Sequence, residues 1–228
     1  MAKPVIVFDM DGVLVEVTDS YRETIRQTVL RFTGQDISYE VIQQYKNAGG
    51  WNNDWALSKK IASDLGVEAE YDAVIDEFQK IFLGTNGTPG LILRERWIAK
   101  AGALEQLASQ FELAIYTGRP RAEAQLTLDR FAPHLTFSPV ITADDVIQGK
   151  PHPEGLDKIR AMRPAQQLWY IGDTVDDARC ARAASVPFIG VASQAANRRE
   201  ELLDLFAAER AAIVLDDINS LESFLANR

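Results

Sequence analysis

The chain has 228 residues, with 24 Lys and Arg against 33 Asp and Glu and a formal net charge of -9, a balance that argues against a nucleic-acid partner. Hydrophobic residues at 46% and charged residues at 25% are ordinary for a folded domain and exclude disordered, collagenous and fibrous classes. The single cysteine, Cys180, excludes an intrachain disulfide and a multi-cysteine zinc cage, so a reducing, cytoplasmic setting is expected.

Residues 5–8, VIVF, form an unbroken β-branched and aromatic run that predicts a central parallel strand, buried on both faces and ending on Asp9. Two Asp this early leave no room for a secretory h-region, and no later run approaches the roughly 18 apolar residues of a membrane span. No membrane partner is expected. From about residue 18 to residue 84 the periodicity is helical. Ser20 and Glu23 have capping-box spacing, and Tyr21, Ile25, Val29 and Phe32 follow until Gly34, the expected stop. Val41, Ile42 and Tyr45 predict a second helix. Leu57, Ile61 and Leu65 predict a third before Gly66, and Tyr71, Val74, Phe78 and Phe82 a fourth before Gly84. TNGTPG at 85–90 is dense in turn formers and reads as a hinge or linker. A helical domain at 18–90 is therefore expected as an insertion into a larger domain made of residues 1–17 and 91–228.

Beyond the hinge, apolar runs at 113–116, 139–141, 168–171, 186–191 and 213–215 alternate with helical stretches near 94–109, 120–131, 154–162, 176–184, 196–208 and 217–226. This rhythm predicts an α/β fold, a doubly wound parallel sheet whose ligand site lies beyond the carboxyl ends of the strands. The polar residues that follow the runs should converge there. They are Asp9, Asp11 and Gly12; Thr117, Gly118 and Arg119; Asp144, Asp145 and Lys150; and Gly172, Asp173, Thr174, Asp176 and Asp177.

Crowded carboxylates repel one another unless a cation intervenes, and an all-oxygen donor set suits Mg2+, which shares its shell with waters and phosphate oxygens. Phosphate chemistry is the consequence. Asp9 and Asp11, two apart on an extended segment, can address one substrate as nucleophile and proton donor. Lys150 can neutralise a transferring phosphoryl group, and Thr117 with the N-H groups after it can hold its oxygens.

These residues carry a resemblance. DMDG at 9–12, the Thr of YTGRP at 116–120, the Lys of GKPHPE at 149–154 and GDTVDD at 172–177 resemble, in order, the four motifs of the haloacid dehalogenase-like hydrolase superfamily. The helical insertion resembles the cap of its phosphoglycolate phosphatase-like branch. The resemblance implies a Rossmann-like core with an inserted all-helical cap, and a Mg2+-dependent phosphatase, monomeric or homodimeric, acting on a small phosphate monoester of phosphoglycolate or phosphosugar type. It implies that Asp9 forms an aspartyl phosphate and that Asp11 protonates the leaving alkoxide. Mg2+ would sit among Asp9, the backbone carbonyl of Asp11, Asp173 and Asp177, with Thr117 and Lys150 on the phosphoryl oxygens. Asp177 would also orient Lys150. The true dehalogenases lack an acid two residues after their nucleophile, so Asp11 favours phosphoryl transfer.

Other readings stay open. A phosphomutase would use the same motifs, a phosphonatase would use a cap lysine such as Lys46, and a catalytically idle phospho-ligand binder would keep only the fold. Arg119 can contact substrate or stand in solvent. In the cap, KNAGGWNNDW at 46–55 offers Lys46, Trp51, Asn52 and Asn53 for substrate choice, or Trp residues for packing. Asp144 and Asp145 read as turn or capping residues, Asp176 as a metal neighbour or a cap, His152 as a loop residue and Cys180 as a small buried one.

Overall fold

The computed structural model describes residues 3–164 and 166–225, and the chain falls into two compact units, Met1–Val15 with Trp97–Arg228 and Glu16–Arg96. Strand β1 (Val5–Phe8) is fully buried, as an all-apolar strand must be when both faces of its sheet are covered. A tight turn follows in which the N-H groups of Val13, Leu14 and Val15 all donate to the Met10 carbonyl. Strand β2 (Val15–Glu16) then leads into the second unit.

That unit is helical, with α1 (Glu23–Thr33), α2 (Tyr39–Ala48), α3 (Asp54–Asp64) and α4 (Tyr71–Leu83). Helix α1 packs on α3 and α4 and buries Ile25 and Val29 with Leu57, Ile61, Val74 and Phe78. The Tyr21 and Phe82 rings lie 4.1 Å apart within this core. Ser38 and Asn53 cap α2 and α3 through side-chain oxygens, satisfying N-H groups that a helix start leaves unpaired.

One local expectation fails here. The capping box of Ser20 and Glu23 does not form: residues 18–22 make a wide helical turn ahead of α1, and the Ser20 hydroxyl donates to the Val17 carbonyl at 3.4 Å. Glu23 instead accepts from Tyr39 Oη at 2.6 Å, Gln27 Nε2 at 2.8 Å and Arg26 Nη1 at 3.1 Å, donors brought in from later turns. The segment TNGTPG is a hairpin, β3 (Gly84–Thr85) pairing antiparallel with β4 (Thr88–Pro89), because Asn86-Gly87 supplies a two-residue turn and Gly87 adopts φ +94°. After a 3-10 turn at Leu91–Arg94, strand β5 (Arg96–Trp97) pairs with β2 and returns the chain to the first unit.

The remaining elements alternate. They are α5 (Ala103–Gln110), β6 (Glu112–Tyr116), α6 (Arg121–Phe131), β7 (Val140–Ile141), α7 (Glu154–Met162), β8 (Leu168–Gly172), α8 (Val175–Ala183), β9 (Phe188–Val191), α9 (Arg199–Ala208), β10 (Ile213–Leu215) and α10 (Leu221–Leu225). Helix α5 begins well after the expected residue 94, because Gly102 stands at φ +83° and no helix passes through that conformation. Helix α9 likewise starts only after Arg198, at φ +51°. The last predicted helix is a 3-10 turn at Ile218–Ser220 followed by α10, and Ala226 lies outside the described residues.

Six strands form a parallel sheet in the order β10-β9-β8-β1-β6-β7. This is the doubly wound arrangement, with the reversal of strand order between β1 and β8, and ligands in such sheets bind beyond the carboxyl ends at that reversal. Phe8 aligns with Ile115 on one side and Ile171 on the other, so β1, β6 and β8 end at nearly the same level. Among the described residues no helix is long and apolar enough to cross a membrane.

Candidate active site

The register just described decides which residues meet. Asp9 is the first residue beyond β1, Thr117 the first beyond β6 and Asp173 the first beyond β8, so Asp9 and Asp173 flank the strand-order reversal and Thr117 stands one strand away. Gly12 is required by this convergence. It stands at φ +70°, and a Cβ there would lie 2.0 Å from Asp173 Oδ2, so any side chain would both strain the turn and strike the carboxylate. Gly172 is tight for a related reason, since a Cβ would meet Asp177 Cβ at 2.4 Å.

Asp9, Lys150 and Asp177 form a buried charge cluster. The Lys150 ammonium, whose side chain is wholly buried, lies 2.9 Å from Asp9 Oδ1 and 2.7 Å from Asp177 Oδ1. Burial works against its charge, yet the Asp177 and Asp9 carboxylates overcome that and hold its pKa above the ordinary lysine range. Asp177 is also pushed upward by burial, but Lys150 and hydrogen bonds from Lys150, Thr174 and Tyr170 outweigh this and hold it low. Asp9 differs. Burial raises its carboxyl well above the usual range, Lys150 only partly opposes the rise, and Asp177, Asp11 and Asp173 add to it. A buried carboxylate that must act ionised needs further positive charge.

Asp177 is fixed at both oxygens. Tyr170 Oη donates to Oδ1 at 2.6 Å, and the Thr174 hydroxyl and N-H donate to Oδ2 at 2.6 and 3.1 Å, while the Asp177 N-H returns a bond to Thr174 Oγ1. That reciprocal capping box opens α8. The acid expected both to orient Lys150 and to stand at the metal is thus turned toward the lysine. Tyr170 is the residue that the sequence reading missed, counted there only as part of an apolar run. A tyrosine inside a buried strand usually takes a partner for its hydroxyl, and that was the available signal.

The opposite side of the site belongs to Asp11 and Arg119. Arg119 is 1% exposed, and its Nε and Nη2 donate to Asp11 Oδ1 at 2.8 and 2.5 Å. Its Nη1 donates to Thr127 Oγ1 at 2.7 Å. The arginine is not solvated, and its guanidinium is engaged by Asp11 and Thr127. Thr117 is fully buried, accepts at Oγ1 from the Arg119 N-H at 3.2 Å, and is followed by the half-buried Gly118.

The donor set fits a hard divalent cation. Asp9, Asp173 and Asp177 each offer a carboxylate oxygen, and these oxygens lie within 4.8 Å of one another, where Lys150 supplies one positive charge against three negative ones. Oxygen donors at this density suit Mg2+.

The remaining candidates have structural partners. Asp145 closes a capping box with Thr142 and pairs with Arg121, and Asp144 accepts from the Arg121 N-H at 2.8 Å. Asp176 is buried in the first turn of α8, 4.0 Å from Arg179. His152 Nδ1 accepts from the Glu154 N-H, and Cys180, whose thiol burial pushes up to about 12, donates to the His152 carbonyl at 3.3 Å. In the helical unit Lys46 pairs with Asp54 at 2.5 Å, the Trp51 ring meets Tyr45 edge-on at 6.3 Å, and Asn53 caps α3.

Comparison with known proteins bears on this arrangement. The sequence family described as haloacid dehalogenase-like hydrolase matches residues 6–191. An imidazoleglycerol-phosphate dehydratase of Phytophthora nicotianae is 33% identical over 201 residues, which are 84% of this chain and 44% of that protein. The chain thus spans less than half the length of that relative. A phosphoglycolate phosphatase of Pseudomonas fluorescens is 25% identical over 228 residues, 95% of this chain and 77% of that protein. Among solved structures, a phosphonoacetaldehyde hydrolase-like protein from Oleispira antarctica superposes with a TM-score of 0.74 at 12% identity, covering 100% of this chain and 92% of that one. That likeness concerns the fold alone.

Proposed function

Because the chain belongs to the haloacid dehalogenase-like hydrolase family and resembles its phosphoglycolate phosphatase-like branch, we propose that it is a Mg2+-dependent phosphatase that hydrolyses a small phosphate monoester through an aspartyl phosphate. One observation carries the reading. A buried carboxylate, Asp9, stands at the strand-order reversal with a buried ammonium 2.9 Å away and two further acids beside it, an arrangement suited to receiving and transferring a phosphoryl group.

In this mechanism Asp9 attacks phosphorus with one carboxylate oxygen and the ester oxygen departs. Asp11 delivers a proton to that oxygen, then takes one from the water that cleaves the acyl phosphate, so a single carboxyl serves as acid and base in turn. Lys150, fixed by Asp177, neutralises charge on the phosphoryl oxygens. Thr117 and the Gly118 N-H hold those oxygens in place. Asp9, Asp173 and the Asp11 carbonyl would hold Mg2+, with Asp177 at the edge of the set. When bound, the ion supplies the positive charge that lets Asp9 ionise and a dianionic ester enter an acidic site.

The core residues recognise only phosphate, so substrate choice is assigned to the helical unit, at Lys46, Trp51 and Asn53. Trp51→Ala is expected to change KM or the ranking of esters while leaving the fold intact. Equal loss toward every ester, p-nitrophenyl phosphate included, would remove Trp51 from this role.

Phosphoglycolate and phosphosugars are the first substrates to try. A second reading has its own support: the Phytophthora relative is named for an enzyme acting on an imidazole-bearing phosphate ester, and more than half of it lies outside the match. A phosphate-release screen with Mg2+ across phosphoglycolate, sugar phosphates, imidazole-bearing phosphate esters, nucleotides and phosphonates tests both readings. A preference of about 100-fold, roughly 2.7 kcal/mol in transition-state terms, names the substrate class. EDTA is expected to abolish release and added Mg2+ to restore it. Release that persists in EDTA, or no release from any ester, rejects the proposal, and a product that keeps its phosphate identifies a mutase.

A further inference from the structure

We propose that Arg119 is a positioning residue for Asp11, one that commits a single oxygen of that carboxyl to structure and leaves the other for proton transfer. The inference rests on the assignment of Asp11 as the acid. Arginine and carboxylate usually meet as two parallel bonds, one to each oxygen. Here both nitrogens, Nε at 2.8 Å and Nη2 at 2.5 Å, converge on Oδ1. The Asp11 side chain keeps 29% of its exposure, whereas that of Arg119 keeps 1%. Among the described residues no hydrogen bond engages Oδ2. The fork therefore does not merely neutralise the acid; it distinguishes its two oxygens.

The clamp is itself held. Arg119 Nη1 donates to Thr127 Oγ1 on α6 at 2.7 Å, its N-H donates to Thr117 Oγ1 at 3.2 Å, and its carbonyl accepts from Ala143 after β7 at 3.0 Å. Asp11 itself lies in a turn beyond β1, where a short side chain on a free rotor would sample several positions. Fixing it before substrate arrives removes that freedom from the transition-state barrier. With its guanidinium 1% exposed and held by Asp11 and Thr127, Arg119 acts through Asp11 and not on the ligand.

The test separates proton delivery from phosphate binding. With enzyme in excess and Mg2+ present, appearance of the leaving group reports the first transfer alone. A primary alkyl phosphate needs a proton on its departing oxygen, and p-nitrophenyl phosphate does not. Arg119→Gln is expected to slow release from the alkyl ester by about 100-fold and from p-nitrophenyl phosphate by less than about 5-fold, with ester affinity unchanged. Arg119→Lys, which can still bring one donor to Oδ1, should recover part of the alkyl rate. Thr127→Val, which removes only the hydroxyl behind the guanidinium, should show the same bias at smaller size and decides the matter if Arg119→Gln fails to fold. Equal slowing of both esters, or weaker binding at an unchanged rate, overturns the positioning role. Asp11→Asn is run in parallel. If it lacks the alkyl bias, the acid assignment itself falls; if it shows the bias and the Arg119 and Thr127 variants do not, only the role of Arg119 falls.

Discussion

Asp9→Asn should abolish turnover while leaving the protein folded. The substitution keeps the size of the side chain and its place between β1 and Lys150, but an amide oxygen does not attack phosphorus, so the covalent route closes. A loss on the order of 10^4-fold or more in kcat is expected, the scale on which removal of a nucleophile acts in other covalent enzymes. Stability should move the other way or not at all, because Asp9 is a buried carboxylate whose pKa its surroundings push upward, and the amide removes that buried charge. Steady-state kinetics, urea denaturation and mass detection of a phosphorylated enzyme trapped in acid would check this. A phosphoenzyme still formed by Asp9→Asn would move the nucleophile elsewhere.

Lys150→Met should damage both function and fold. The ammonium separates Asp9 and Asp177, at 2.9 and 2.7 Å, and the methionine leaves two buried carboxylates facing each other without a cation. Removing one partner of a buried pair costs about 3–5 kcal/mol, and in a chain of this size each kcal/mol lowers Tm by about 2–4 °C. The pH dependence has a definite sign. In the parent protein the Asp177 carboxyl is held below its unfolded value, so its stabilisation is present near neutrality and is lost as the pH falls through the folded pKa. Without Lys150 both carboxyls should titrate above their unfolded values, and their contribution is then lost as the pH rises. The stability difference between parent and variant in urea, measured with EDTA present, should therefore be larger at about pH 8 than at about pH 5. An equal difference at the two values would show that the deficit comes from packing around the lysine stem.

Much of the core could be read from the chain, for a physical reason. Strands buried on both faces are continuous apolar runs, and polar residues just beyond such runs have few places to go, so Asp9, Thr117 and Asp173 could be expected at one end of the same sheet. Periodicity says which element a residue occupies, not which distant residue it touches. Asp11 and Arg119 are 108 positions apart, and Arg119 turns inward onto both Asp11 and Thr127, a residue with no pattern of its own. Tyr170 was hidden in the apolar run LWYI, and its hydroxyl donates to Asp177. Ser20 does not cap because the chain is already helical from Thr18 and the Ser20 N-H goes to the Val17 carbonyl at 3.2 Å. Local chemistry was legible, and the competition among distant partners was not.

The pairing of β2 with β5 has a consequence for how the chain finds its fold. Strand β6 must join β1 after an excursion of about 100 residues, and the entropy of closing a loop grows with the logarithm of its length. At Glu16 and Arg96 the two ends of the helical unit are clipped together, with a salt bridge at 2.8 Å beside the paired strands. Once that unit has formed, the loop that β1 and β6 must close is roughly a quarter as long, which lowers the closure cost by about 1.2 kcal/mol. To the parallel sheet the insertion then behaves as a short connection, and a long-range pairing becomes nearly a local one.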